Sequence, residues 1–153
     1  MIKDFGFIIP QNCQFGMGAL KKLPDFLKAA VSDNVMLISD RGLEAIGVVD
    51  KVREIIKAAD LKYSEYLDVL PNPTTTIVDE CAAQYKANGC TALIALGGGS
   101  PMDAAKIMWV LYEHPDADFQ SMSMDFMDIR KRIYKFPKMG EKAMMVAIPT
   151  SSG

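Results

Sequence analysis

The chain has 153 residues, half of them hydrophobic and 24% charged, with 17 basic and 19 acidic side chains leaving a net charge of -2. That is one domain of ordinary globular composition, without the basic excess that a nucleic-acid partner would call for. Its longest apolar runs, such as Ala92 to Leu96, fall far short of the ~20 residues that cross a bilayer. The opening Met1-Ile2-Lys3-Asp4 lacks the apolar stretch of a secretion signal. The expectation is a cytoplasmic protein with no membrane partner.

In chain order, the first apolar residues are Phe5, Phe7, Ile8 and Ile9. With the turn residues Pro10-Gln11-Asn12 and then Cys13 and Phe15, they predict a short N-terminal β-hairpin. Met17, Leu20, Leu23, Phe26, Leu27 and Ala30 recur at helical spacing, with Pro24 in an early turn. Val35 to Ile38 reads as a buried strand ending at Ser39-Asp40. The segment Leu43 to Ala59 contains a helix with Val48, Val49, Val52, Ile55, Ile56 and Ala59 as its apolar stripe. Lys62 to Leu67 is a more polar strand that runs into the rigid turn Pro71-Asn72-Pro73-Thr74. Thr74 or Thr75 then caps a helix that Asn88-Gly89 stops.

Ala92 to Leu96 is apolar throughout, as in a parallel strand covered on both faces. A helix follows from Pro101 to about Tyr112, closed by His114-Pro115. The charged stretch from Asp116 to Lys142 suggests a helix over Phe119 to Ile129 and a basic loop at Arg130-Lys131-Arg132. Met144 to Ile148 is a last buried strand before Pro149-Thr150-Ser151-Ser152-Gly153.

Strands alternating with helices imply right-handed βαβ units and a mostly parallel sheet, an α/β fold that binds ligands beyond the carboxyl ends of its strands. Asp40, Asn72, Gly97 to Ser100, Thr150 and Ser151 all follow such ends. The turn Gly97-Gly98-Gly99-Ser100-Pro101-Met102-Asp103 is the clearest of them. Its glycines let backbone approach a ligand, while Ser100 as N-cap, Pro101 at the first helical position and Asp103 as capping-box partner predict a phosphate-binding helix start. The turn is neither G-x-G-x-x-G nor a P-loop, because Pro101 follows Ser100.

Asp40 at a strand end suits ribose hydroxyls and repels a 2′-phosphate, although it equally suits a helix cap. Asn72 is placed to donate to a ligand or to form a turn. Thr150 and Ser151 offer hydroxyls to a phosphate, a ribose or nicotinamide. The widely spaced Cys13, Cys81 and Cys90 and the single His114 supply no zinc-ligand pattern; the cysteines read as reduced structural thiols and His114 as a solvated helix end. Lys135, Lys138 and the basic triplet suit a solvated loop or a subunit contact.

Four blocks in order carry a more specific message: Asp40-Arg41-Gly42-Leu43, Pro71-Asn72-Pro73-Thr74, Gly97 through Lys106, and Ala147-Ile148-Pro149-Thr150-Ser151-Ser152-Gly153. Together they resemble the iron-containing, or group III, alcohol dehydrogenases. The stretch Phe126 to Gly140 looks like the alcohol-dehydrogenase module of bifunctional aldehyde-alcohol dehydrogenases. The resemblance implies a Rossmann-like sheet over residues 1–153 that binds NAD(P), and Asp40, by repelling a 2′-phosphate, favours NAD over NADP. Gly98, Gly99, Ser100 and Asp103 would lie at the pyrophosphate and nearby ribose, with Gly97 also cofactor-binding in the same turn, Asp40 and Asn72 by the adenosine, and Thr150 and Ser151 toward the diphosphate and nicotinamide. Where the family more often has a second Thr, Ser151 keeps the hydroxyl.

The family's metal ligands, one Asp and typically three His, lie downstream in a helical domain. The resemblance therefore implies a truncated cofactor-binding half, with no catalytic or metal residues of its own. Fe2+ or Zn2+ would belong to the full-length enzyme, a homo-oligomer passing hydride between a primary alcohol or aldehyde and the nicotinamide dinucleotide. A fragment of a glycerol-type polyol dehydrogenase and a non-catalytic nucleotide-binding or oligomerisation module are the alternatives.

Overall fold

A computed structural model describes residues 12–29, 34–117 and 137–151. Four strands form one parallel sheet: β1 (Asn34–Ile38), β2 (Lys62–Tyr66), β3 (Ala92–Gly97) and β4 (Met144–Pro149), in the order β2-β1-β3-β4. The central strand β3 is buried at every residue, which explains its unbroken apolar sequence. Outlying β2 tolerates Lys62, Ser64 and Glu65 because it has one neighbour in the sheet.

Strand side chains alternate between two faces, and two apolar clusters follow that alternation. Met36, Ile38, Leu93 and Ala95 pack under α4 (Thr75–Ala87) and α5 (Gly99–Glu113). Val35, Leu37, Ala92, Ile94 and Leu96 pack against α1 (Leu23–Ala29) and α3 (Val48–Ala58). Val49, Val52 and Ile56 form the buried stripe of α3, at the spacing expected of an amphipathic helix.

A short helix, α2 (Arg41–Ala45), precedes α3. The chain between them turns at Gly47, whose φ of 75° few side chains adopt, so the apolar periodicity over residues 43–59 is carried by two helices. Pro24 is the second residue of α1, where its missing N–H breaks no bond. The hairpin expected from Phe5 to Phe15 falls mostly on residues 1–11, outside the described residues; residues 12–15 are irregular. The expected helix over Phe119 to Ile129 and the basic loop also fall outside the described residues.

One expectation is overturned at the start of α5. The N-cap is Gly98, with no side-chain cap, so Ser100 and Pro101 lie within the first turn and Asp103 is not a capping-box partner. The reason is local: Gly97 at φ 150° turns the chain directly out of β3, and the helix begins two residues earlier than a serine cap would allow.

Candidate functional site

The strand order places the site. From β1 the chain passes to β2 through α2 and α3, whereas from β3 it passes to β4, on the opposite side of the sheet, through α5. Adjacent β1 and β3 thus carry connections in opposite directions, and the crevice beyond their carboxyl ends is the topological switch point.

The loops around this crevice are tied together. The Ser39 hydroxyl donates to the Leu96 carbonyl at 2.8 Å, joining the ends of β1 and β3 in the buried interior. The Thr150 N–H donates to the Gly97 carbonyl at 2.9 Å, joining the ends of β3 and β4. The Asn72 N–H donates to Ser100 Oγ at 3.4 Å, docking the β2–α4 turn on the first turn of α5. Asn72 itself has φ 55°, a left-handed conformation that asparagine tolerates better than most residues.

Each glycine of the turn has its own reason. A Cβ on Gly97 would lie 2.6 Å from Pro101 Cγ, so that position is closed by packing and by its φ. A Cβ on Gly98 would meet Ser151 Oγ at 3.4 Å, which also shows how near the β4 end comes to the turn. A Cβ on Gly99 would meet nothing within 4 Å, so that side of the turn is open to an incoming group. Gly99 and Ser100 are the first two residues of α5, whose N–H groups have no intrahelical acceptor, and no side chain caps them. The positive end of the helix dipole lies with them at the switch point, the kind of helix start at which anions bind in general.

Asp40 stands at the β1 end of the crevice. Its Oδ1 accepts the Leu43 N–H at 2.9 Å, so it is the N-cap of α2. The cap uses one carboxylate oxygen and leaves Oδ2 for another donor. Asn72 and Asp103 line one cavity of about 370 Å³ with Pro73, Lys106 and Ile107. Lys106, with Nζ 3.8 Å from Asp103 Oδ1, was not among the sequence-derived candidates. Its position three residues after Asp103 on the same helix face was the available signal. Arg41 and Asp68, paired beside Asp40 at 2.8 Å, were likewise missed, since nothing in the sequence pairs residues so far apart.

His114 is the C-cap of α5, and its Nε2 lies 2.8 Å from the Lys138 carbonyl oxygen. Among the described residues no three His, Cys, Asp or Glu side chains converge on a point that could hold a metal ion. No described helix is long and apolar enough to cross a membrane.

A parallel sheet whose order reverses beside a glycine-led, uncapped helix start defines a doubly wound α/β domain of the kind that takes ligands at that crevice. Within that class, the chain belongs to the iron-containing alcohol dehydrogenase family, whose model it matches over residues 10–153. It is 44% identical over 148 residues to the bifunctional aldehyde-alcohol dehydrogenase of Escherichia coli strain K12, covering 95% of this chain and 16% of that protein. Against the lactaldehyde reductase of the same strain it is 33% identical over 146 residues, covering 95% and 36%. The solved NADH-dependent butanol dehydrogenase A of Thermotoga maritima superposes with a TM-score of 0.75 at 26% identity, covering 97% of this chain and 35% of that one. The chain therefore spans well under half the length of these relatives. The described residues do not fit the metal for which the family is named, since no three His, Cys, Asp or Glu side chains among them converge.

Proposed function

We propose that this chain is the cofactor-binding half of an NAD-dependent alcohol dehydrogenase that moves a hydride between a primary alcohol or aldehyde and the dinucleotide. The observation that carries the reading is the uncapped start of α5 beneath Gly97 to Gly99, at the switch point of the sheet. Gly98, Gly99 and Ser100 present backbone N–H groups to the pyrophosphate, with Gly97 shaping the turn. Thr150 and Ser151 extend hydroxyls from the β4 end toward the diphosphate and nicotinamide. Asp40 accepts from the adenosine ribose through its uncommitted oxygen, Asn72 stands by the adenosine, and Asp103 lies near the ribose. The bound nicotinamide supplies the hydride chemistry; these residues bind and orient it.

The metal ligands belong to a helical domain outside the described residues, and turnover requires that domain. The same family reading supports a homo-oligomer acting in the cytoplasm. A polyol substrate is the second reading; the likeness to the bifunctional aldehyde-alcohol dehydrogenase at 44% identity favours the primary alcohol or aldehyde.

Fluorescence titration of NADH and NADPH against the purified protein tests this directly. Saturable NADH binding tighter than NADPH binding is expected, and no NADH binding up to millimolar concentration overturns the proposal. Asp40→Ser keeps a cap for α2 while removing the charge. It should shrink the NADH preference on the order of tenfold, because a carboxylate no longer faces the 2′-phosphate.

A further inference from the structure

Arg41, the residue after the candidate ribose acid, is the group through which a dinucleotide site of this type would accept a 2′-phosphate. Here its guanidinium is already engaged. Nε donates to Asp68 Oδ1 at 2.8 Å and Nη2 to Asp68 Oδ2 at 3.4 Å, a two-pronged pair. Nη1 donates to Glu44 Oε2 at 2.8 Å. Glu44 is in turn held by Arg53 Nη2 at 2.7 Å, and Arg53 also binds Glu65 Oε1 and Oε2 on β2, each at 2.6 Å, and Asp50 at 2.8 Å. The backbones of Asp40 and Asp68 form an isolated antiparallel bridge, which sets the two residues side by side.

We propose that Asp68 is a specificity-determining residue: by holding Arg41 in this pair, it withholds from the cofactor a cation next to Asp40 that would otherwise bind a 2′-phosphate. The inference rests on the proposed placement of the adenosine ribose at Asp40. Discrimination is then built twice. Asp40 repels the 2′-phosphate by its own charge, and Asp68 removes the counter-charge that would offset the repulsion. Both members of the pair are largely solvent-exposed, with side-chain exposures of 62% for Arg41 and 64% for Asp68, so the hold is breakable by one substitution. The half of the network at Arg53, whose side chain is only 19% exposed, stays intact when Asp68 changes, because its partners are Glu44, Asp50 and Glu65.

The test measures dissociation constants of the full-length protein for NADH and NADPH, and for the fragments 5′-AMP and 2′,5′-ADP, which isolate the phosphate from the nicotinamide. Asp68→Asn and Asp68→Glu are compared with the wild type, and Arg41→Gln is added to Asp68→Asn. Asp68→Asn should tighten 2′,5′-ADP and NADPH binding by about two- to fivefold, the size of one exposed ion pair. Binding of 5′-AMP and NADH should stay the same. Asp68→Glu should restore wild-type discrimination, and the Arg41→Gln addition should abolish the gain. A gain that survives Arg41→Gln, or the absence of any gain in Asp68→Asn, overturns the proposal. Asp40→Ser separates the two layers: if it leaves the NADH:NADPH ratio unchanged, the ribose placement fails, whereas a normal Asp40→Ser effect beside a silent Asp68→Asn sinks only the role of Asp68. Failure of NADH to bind the wild type overturns both.

Discussion

At the scale of single residues, the glycine turn separates packing from access. Gly97 is required by geometry, with φ 150° and the Pro101 ring 2.6 Å from where a Cβ would stand. Gly97→Ala should cost about 2–4 kcal/mol from backbone strain and overpacking, read as a lowered thermal-unfolding midpoint. Gly99→Ala has open space around the new methyl group, so it should leave stability within about 1 kcal/mol and weaken dinucleotide binding instead. The thiols make a second contrast with surface chemistry. Burial pushes the Cys81 thiol up to about 12, with Cys90 nearby adding to the shift, and burial also raises Cys90 despite its contact with Ser64. Since the thiolate is the reacting form, both should resist a thiol-specific reagent at mildly alkaline pH until the protein is unfolded. Rapid labelling of either in the native state would contradict the packing described.

At the scale of elements, the anchoring of α5 is the feature least visible beforehand. Its last residue, Glu113, is an acid at a helix C-terminus, where the dipole disfavours negative charge. The structure explains it: the carboxylate is 3% exposed and accepts the N–H groups of Gly140, Glu141, Lys142 and Ala143 and the Trp109 indole N–H. It thereby fixes the segment that leads into β4. Burial raises the Glu113 pKa, but the backbone donors outweigh it and hold the carboxyl below its ordinary value of 4.5. A carboxyl lowered by folding stabilises the protein above its unfolded value, and that contribution is lost as pH falls through the folded one. Glu113→Gln should therefore cost about 1–3 kcal/mol near neutrality, since a carboxamide nitrogen would face donors. The gap from wild type should narrow as acid-unfolding measurements pass below the ordinary value of 4.5. A gap unchanged by acid would mean that the charge is not what the backbone donors stabilise.

At the scale of the whole molecule, hydrogen bonds join the loops at the four strand ends in series, from Ser39 to Leu96, Thr150 to Gly97 and Asn72 to Ser100, so the proposed site is held as one unit. A ligand seated there binds only the folded state and should raise the unfolding midpoint by mass action. NAD at one hundred times its dissociation constant adds about 2.7 kcal/mol. Calorimetry with NAD should show that rise, and an equal rise with NADP would argue against the Asp40 reading.

Much of this was legible from residue order alone. Ala92 to Leu96 had to be a doubly covered strand because it has no polar face, and three glycines leaving such a strand had to make a tight turn. Asp40 and Thr74 as caps were open to the same local logic, since a capping bond spans only a few residues. What residue order did not determine was the start of α5, because the choice between Gly98 and Ser100 as cap depends on how Gly97 meets the Pro101 ring. Nor did it reveal that Glu113 is buried or that Arg41 is held by Asp68. Those are contacts between distant positions, and only the register and order of the sheet bring them together. Most local conformation and the family follow from the sequence by itself, whereas the salt-bridged arginine next to Asp40 and the stitched crevice exist only once β2, β1, β3 and β4 lie side by side.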